Sequence, residues 1–174
     1  MEVLREKLKA MELRLAELLR MAEENDAISA KFQQWTRSLL LARTNIELPD
    51  ILISQLRTTF NVPHATLRMW HVAEAFSQTW FAQEVSPDAQ LFCNSLSAPF
   101  CGPNNNFEAA SWFDDAPAVT SLAMLPLRVG AAPQAFGLLV LGSADPKRFA
   151  ADLATDFLMK IGETSSAALT CLLD

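Results

Sequence analysis

The sequence predicts an α/β domain (α+β in its layout) with a mainly antiparallel sheet and helices on both faces, preceded by a long N-terminal helix of the coiled-coil type. Three features of the 174-residue chain support this fold class. A heptad-like pattern of leucines fills residues 1–24, two apolar strands follow one another at 121–129 and 135–143, and an amphipathic helical pattern closes the chain. Hydrophobic residues make up 51% of the chain, which is enough apolar material for one core.

The first 24 residues predict a helix with one apolar stripe. The stripe residues are spaced alternately by four and three positions, like the a and d positions of a coiled coil, and they are Leu4, Leu8, Met11, Leu15, Leu18 and Ala22. Lys7 and Glu12 flank the stripe at g and e positions, where unlike charges attract across a partner helix. Leu19 and Met21 widen the stripe towards a bundle of more helices. We therefore expect residues 1–24 to be a dimerisation helix, residues 25–174 to be the globular domain, and the chain to be a homodimer.

Further helical patterns stand at both ends of the globular domain. The first helix is expected to be interrupted or capped at Asn25-Asp26, and helical spacing resumes over 28–42. Another helix is expected to begin near Pro49, because proline suits the first turn of a helix. The last helix is expected from about Asp152, with an apolar side made of Leu153, Phe157, Ile161, Ala168 and Leu172.

The middle of the chain predicts the sheet. Residues 65–72 alternate in the manner of a strand, and residues 74–97 are helical in pieces. The stretch 99–117 is rich in proline, asparagine and aspartate, which predicts a long loop. The nearly unbroken apolar runs at 121–129 and 135–143 form a hairpin that belongs in the middle of a sheet covered on both faces. This order predicts terminal helices on one face, and short helices with a long loop on the other.

Composition and charge exclude several classes of partner. The net charge is −6, and the stretch 44–146 carries nine acidic residues against three basic ones, Arg57, Arg68 and Arg128. Nucleic acids and anionic membranes are bound by clustered Lys and Arg, so none of them is an expected partner. No apolar run approaches the roughly 20 residues that span a membrane, and the N-terminus lacks the apolar core of a signal peptide. The sequence therefore predicts a cytoplasmic protein.

Short motifs along nearly the whole chain carry a family resemblance. They are Leu-Arg-Glu-Lys-Leu at 4–8, Leu-Ala-Glu-Leu at 15–18, Leu-Arg-Met-Trp at 67–70, Cys-Gly-Pro at 101–103, Phe-Gly-Leu-Leu-Val-Leu-Gly-Ser at 136–143, Asp-Pro-Lys-Arg-Phe at 145–149 and Thr-Asp-Phe-Leu at 155–158. These motifs resemble the bacterial family catalogued as domain of unknown function 484, within the class of GAF domains, which are small-molecule sensor modules. The resemblance implies a GAF-like fold, a dimerisation helix, a cytosolic location and a role in signalling. It carries over no catalytic residue and no cofactor, because the activity of the family is unknown.

The long loop from Phe100 to Asp115 is the expected lid of a ligand site. Loops longer than about twelve residues are uncommon unless they are functional or disordered. This loop combines amides with aromatic rings, which suits a small organic ligand, and its candidate binding residues are Asn104, Asn106, Trp112 and Phe113. The alternative is that the asparagines make turns and the aromatic rings fill the space against the sheet.

Two arginines are further candidates for ligand binding. Arg68 and Trp70 lie on one face of a predicted strand, and Arg128 ends another strand. An arginine beneath the lid can bind a carboxylate or a phosphate through two parallel hydrogen bonds. The structural alternative, an ion pair with one of the many acidic residues, stays open.

The cysteines and histidines form no recognisable catalytic or metal site. Cys101 lies in the predicted lid, so it is included among the candidate ligand contacts, but no cation stands within ten residues to lower its pKa. Cys93 is close enough in sequence to form a disulfide with an oxidised Cys101. His64 and His71 stand at the two ends of one strand and point to opposite faces, so no metal site is predicted.

Three hypotheses about function follow. We prefer a non-catalytic, homodimeric regulatory or sensor module that binds an unidentified small molecule or a protein partner, with its cofactor, if any, unknown. The second hypothesis is a thiol-based redox sensor or enzyme that uses Cys101 and Cys93. The third is a scaffold whose pocket is filled by side chains and takes no ligand.

Overall fold

The computed structural model describes residues 1–151 and 155–174. The chain divides into two compact units, Met1–Gln34 and Trp35–Asp174. Its α-helices are α1 (Glu2–Leu40), α2 (Leu48–Thr59), α3 (Pro87–Ser95) and α4 (Asp156–Leu169), and its strands are β1 (His64–Met69), β2 (Phe100–Pro103), β3 (Ser121–Leu127) and β4 (Gly137–Ser143). Short 3₁₀ turns lie at Asn45–Glu47, Glu74–Phe76, Trp80–Ala82, Glu108–Trp112, Ala116–Ala118 and Thr170–Leu172. Among the described residues, no helix is both long and apolar enough to cross a membrane.

Helix α1 is continuous, whereas the sequence predicted an interruption or a cap at Asn25-Asp26. Asn and Asp cost a helix interior only about 0.7 kcal/mol each relative to alanine, and the strong helix formers on both sides outweigh this cost. On the side of the helix away from the apolar stripe, Arg20 forms ion pairs with Glu17 at 3.2 Å and Glu24 at 2.6 Å. The boundary of the dimerisation helix at residue 24 stays a prediction, as the helix itself shows no break there.

The second unit begins within α1, where the helix joins the core. Trp35 and Leu39 are buried, and the indole Nε1 of Trp35 donates a hydrogen bond to the carbonyl oxygen of Leu52 at 3.2 Å. Helix α2 has a proline in its first turn, as predicted, and buries Leu52 and Leu56. The predicted start of the last helix at Asp152 and its residue Leu153 lie outside the described residues, and α4 is described from Asp156.

The four strands form one antiparallel sheet in the order β1-β4-β3-β2. The predicted hairpin β3–β4 lies in the centre of the sheet, and every residue of β4 is buried. The antiparallel sheet and the long N-terminal helix confirm the predicted α/β fold class. Strand β2 was predicted as loop, and this prediction was wrong for Phe100–Pro103. The strand is four residues long, contains Gly102 and Pro103, and lies at the sheet edge, where such residues are tolerated.

The sheet has two different faces. On the face we call the lid face, Leu122, Met124, Leu138 and Val140 pack in one cluster with side chains from α3 and from the segment 104–119. On the opposite face, called the helix face, Leu125 packs against Gly162 of α4. Helix α2 contacts both β1 and α4, so these two helices lie together on the helix face. The short helices and the long loop cover the lid face, and both placements are as predicted.

Candidate functional site

The segment 104–119, which contains most of the predicted lid Phe100–Asp115, packs its aromatic rings against the lid face. Trp112 and Phe113 are 9% and 6% exposed and belong to the same cluster as Trp70 and Val140. The ring of Phe113 lies so close to β4 that a Cβ atom on Gly142 would come within 3.0 Å of it. The indole Nε1 of Trp70 donates to the carbonyl oxygen of Ala135 at 2.7 Å. These side chains fill the space in which the sequence placed a ligand.

Arg68, on the edge strand β1, contacts the segment 104–119 through the ring of Trp112. Its guanidinium carbon lies 4.9 Å from the centre of the Trp112 ring, and Nη1 donates to the carbonyl oxygen of Glu84 at 3.0 Å. Burial lowers the pKa of Arg68, and the Glu108 carboxylate opposes that shift. Glu108 also accepts a hydrogen bond from the backbone N–H of Ser86 at 3.1 Å. The arginine therefore binds the protein's own carbonyl and indole. No local pattern predicts that Glu84, Ser86 and Glu108 surround it.

Arg128 lies away from Arg68 and caps a helix. Its Nη2 donates to the carbonyl oxygens of Asn94 at 3.0 Å and Cys93 at 3.4 Å, at the C-terminal end of α3. A cation at this end of a helix interacts favourably with the helix dipole. The backbone N–H of Arg128 donates to Ser166 Oγ at 3.1 Å. Arg128 also lines a groove of about 400 Å³ between residues 97–99, the end of β3 and α4.

The two asparagines line a different depression, of about 480 Å³, together with Phe107, Ser111 and Val119. Asn104 Nδ2 donates to the carbonyl oxygen of Val119 at 3.1 Å, and its Oδ1 is buried without a partner among the described residues. Asn106 has a φ of 59°, a left-handed conformation that asparagine adopts more readily than most residues. Both asparagines therefore shape the turns of the segment.

A polar depression that the sequence pattern does not predict lies beside Trp112 and Phe113. It holds about 240 Å³ and is lined by Arg57, His64, Asp114 and Asp115, among others. Within the described part of the chain, Arg57 forms no ion pair with either aspartate. A guanidinium and two carboxylates around a small space offer contacts to a small polar molecule. Nothing in the sequence brings Arg57 close to residues 114–115, because they meet only through the packing of α2 on the sheet edge.

The two thiols of the redox hypothesis lie on opposite faces of the sheet. Cys93 belongs to the lid-face cluster and its Sγ donates to the carbonyl oxygen of Gly137 at 3.4 Å. Cys101 pairs with Ala123, and since paired residues share a face, it points to the helix face. Burial raises the pKa of Cys93 to about 12, against a smaller opposing effect of Arg128, and burial also raises the pKa of Cys101. Both thiols are therefore protonated at neutral pH, and this geometry disfavours a direct disulfide.

The sequence matches, over residues 1–169, the protein family described as "Protein of unknown function, DUF484". The chain belongs to the DUF484 family. Among curated proteins, none matches it. The match spans both the N-terminal helix and the sheet domain of this DUF484 chain.

Three solved structures similar to this DUF484 chain are GAF domains. The GAF domain of a protein described as a sensor histidine kinase from Pseudomonas syringae pv. tomato is 15% identical, with a TM-score of 0.54 over 87% of this chain and 90% of that one. The A. aeolicus nlh2 GAF domain in an inactive state is 14% identical, with a TM-score of 0.57 over 84% and 98%. The GAF domain from Acinetobacter phosphoenolpyruvate-protein phosphotransferase is 11% identical, with a TM-score of 0.56 over 86% and 93%. At these identities the likeness establishes the GAF fold.

The eight candidate ligand residues therefore do not form one pocket. Arg68, Trp70, Trp112 and Phe113 come together on the lid face, where they pack on one another and on the sheet. The other four candidates lie elsewhere: Cys101 on the helix face, Asn104 and Asn106 in one depression, and Arg128 in the groove beside α4.

Proposed function

We propose that this DUF484 chain is a non-catalytic regulatory module of the GAF fold that acts in the cytoplasm as a homodimer and binds a small molecule or a protein partner. The observation that carries the proposal is the exposed apolar stripe of α1. Its five large members, Leu4, Leu8, Met11, Leu15 and Leu18, are 54–68% exposed. A GAF-fold neighbour that comes from a protein described as a sensor histidine kinase supports the regulatory part.

An apolar stripe of this length in water is an association surface. An isolated helix is only marginally stable without packing, and pairing along the stripe supplies that packing. Each leucine that becomes buried contributes roughly 1.5–3 kcal/mol to association. A second copy of α1 presents the same stripe, so self-association covers both surfaces at once.

Replacing Leu8 and Leu15 with glutamate tests the homodimer. The double variant places four like charges in the seam of a dimer, and light scattering should then report a monomer with the GAF-fold unit intact by circular dichroism. Val3→Glu with Leu13→Glu is the matched control, because both residues are similarly exposed but lie off the stripe. The control should remain a dimer. A Leu8/Leu15 variant that stays dimeric would remove this helix as the principal interface.

The ligand part of the proposal is tested by native mass spectrometry of protein purified from its own host. A retained small molecule of constant mass supports ligand binding. Arg57→Gln should release a molecule held in the polar depression, whereas Arg37→Gln, a similarly exposed arginine on α1, should not. Retention by both variants would place the molecule elsewhere.

A second candidate function is a scaffold with no small-molecule ligand. The burial of Trp70, Trp112 and Phe113 against the sheet favours it, because these rings occupy the space beneath the lid. The two candidates differ in the same mass spectrum: a scaffold gives the mass of the polypeptide alone.

A further inference from the structure

The flanks of the α1 stripe carry charges that select an orientation for a paired helix. Lys7 and Arg14 lie at g positions and Glu12 lies at an e position beside the stripe. The two ion pairs of α1 are formed by Arg20, which lies at position f, on the side of the helix away from the stripe. In the described structure Lys7, Glu12 and Arg14 form no ion pair within their own helix, so all three remain available to a partner.

Hydrophobic contact alone does not choose between the two orientations. When two copies run parallel and in register, each stripe residue faces its own counterpart. When they run antiparallel with full overlap, Leu8 faces the partner's Leu18 and Met11 faces the partner's Leu15. Both arrangements bury the same six residues of each helix, so the flanking charges decide.

In the parallel arrangement, a g residue meets the e residue five positions later on the partner. Lys7 then meets the partner's Glu12, and symmetry repeats this attractive contact on the other side. Arg14 meets the partner's Leu19, whose apolar side chain packs along the arginine stem. No like charges meet.

In the antiparallel arrangement, e meets e and g meets g. With the stripe fully overlapped, Glu12 meets the partner's Glu12, and Arg14 meets the partner's Arg14. Both contacts are repulsive, and Lys7 has only the partner's Met21 opposite. The parallel arrangement has two attractive contacts, and the antiparallel arrangement has two repulsive ones. This difference favours the parallel pair by a factor on the order of ten or more.

The polar end of the stripe agrees with the parallel arrangement. Asn25 and Ser29 continue the d and a positions after Ala22, and α1 remains helical through both. In a parallel pair Asn25, at a d position, faces the partner's Asn25, and each amide side chain supplies both a donor and an acceptor for the other. In the antiparallel pair Asn25 would face the partner's Met1.

We infer that two copies of α1 pair parallel and in register, so that both GAF-fold units follow from the same end of the helix pair. This inference rests on the homodimer proposed above and adds its geometry.

Charge exchange tests the orientation. In a parallel dimer, Lys7→Glu turns two attractive contacts into two repulsive ones and should raise the dissociation constant about tenfold. Adding Glu12→Lys should restore the wild-type value. An antiparallel dimer predicts no change for Lys7→Glu, because it faces Met21, and no restoration in the double variant.

Disulfide trapping gives an independent readout in the full chain, on a Cys171→Ser background, because Cys171 is the exposed native thiol. Leu8→Cys and Leu18→Cys should each form a covalent dimer on mild oxidation, and Leu13→Cys, on the opposite side of the helix, should not. A covalent dimer found only when the Leu8→Cys and Leu18→Cys chains are mixed would overturn the parallel orientation and leave the homodimer standing. A monomer by light scattering would overturn both.

Discussion

Replacing Trp112 with alanine tests whether the aromatic side chains of the lid are core rather than ligand contacts. Trp112 is 9% exposed, packs in the lid-face cluster and stacks with the Arg68 guanidinium. Removing a buried tryptophan costs about 3–5 kcal/mol of the free energy of unfolding, because the apolar contacts are lost and the space is only partly refilled. For a unit of this size that is a fall in melting temperature of roughly 10 °C.

The assay is urea unfolding followed by near-ultraviolet circular dichroism. Trp80→Ala is the matched control, because Trp80 is 39% exposed and its indole donates a hydrogen bond to Asp50 Oδ1 at 2.9 Å on the surface. The control should lose about 1 kcal/mol or less. If both variants lose the same small amount of unfolding free energy, Trp112 does not belong to the core. The packing of the lid on the sheet would then contribute little to stability.

Two further predictions concern the thiols. Cys101→Ser should leave both the fold and the dimer intact, and peroxide treatment followed by mass spectrometry should find no rapid, stoichiometric Cys93–Cys101 disulfide; its formation would revive the redox hypothesis. Because burial raises the pKa of Cys93 from 9.0 to about 12, the folded state holds this thiol neutral. Its contribution to stability is complete below about pH 9 and is lost as the pH rises towards 12. Cys93→Ala should therefore show a shallower fall in the free energy of unfolding between pH 9 and 11 than the wild type, and parallel curves would contradict the assignment.

The sequence was sufficient for the elements whose pattern is local. The hairpin of β3 and β4 follows from two uninterrupted apolar runs, and α2 follows from its proline and its apolar spacing. Strand β2 was missed because Gly102 and Pro103 are turn residues in most contexts, and only pairing with β3 makes them a strand. The break in α1 was wrongly predicted because two weak helix formers do not stop a helix that strong formers surround.

The candidate site was less predictable, because it depends on contacts between distant segments. Alternation along one strand places Arg68 and Trp70 on the same face. The structure agrees, because Arg68 pairs with Leu138 of the lid face and Trp70 packs in the same cluster as Leu138. The face to which Cys101 points is set by its pairing with Ala123. Because residues 100–103 were predicted as a loop, no strand pairing was available from which to predict that face. Arg128 caps α3 through carbonyl oxygens more than thirty positions away in sequence, a contact that no local pattern encodes.

The mass of the wild-type protein in solution tests the central claim most directly. The chain has a mass of 19.2 kDa, and we expect light scattering at micromolar concentration to give twice that value. The Leu8→Glu, Leu15→Glu variant, measured at the same concentration, should give the mass of a single chain. A wild-type mass of one chain would contradict the role assigned to residues 1–24, because it would mean that the exposed stripe of α1 pairs with no second copy.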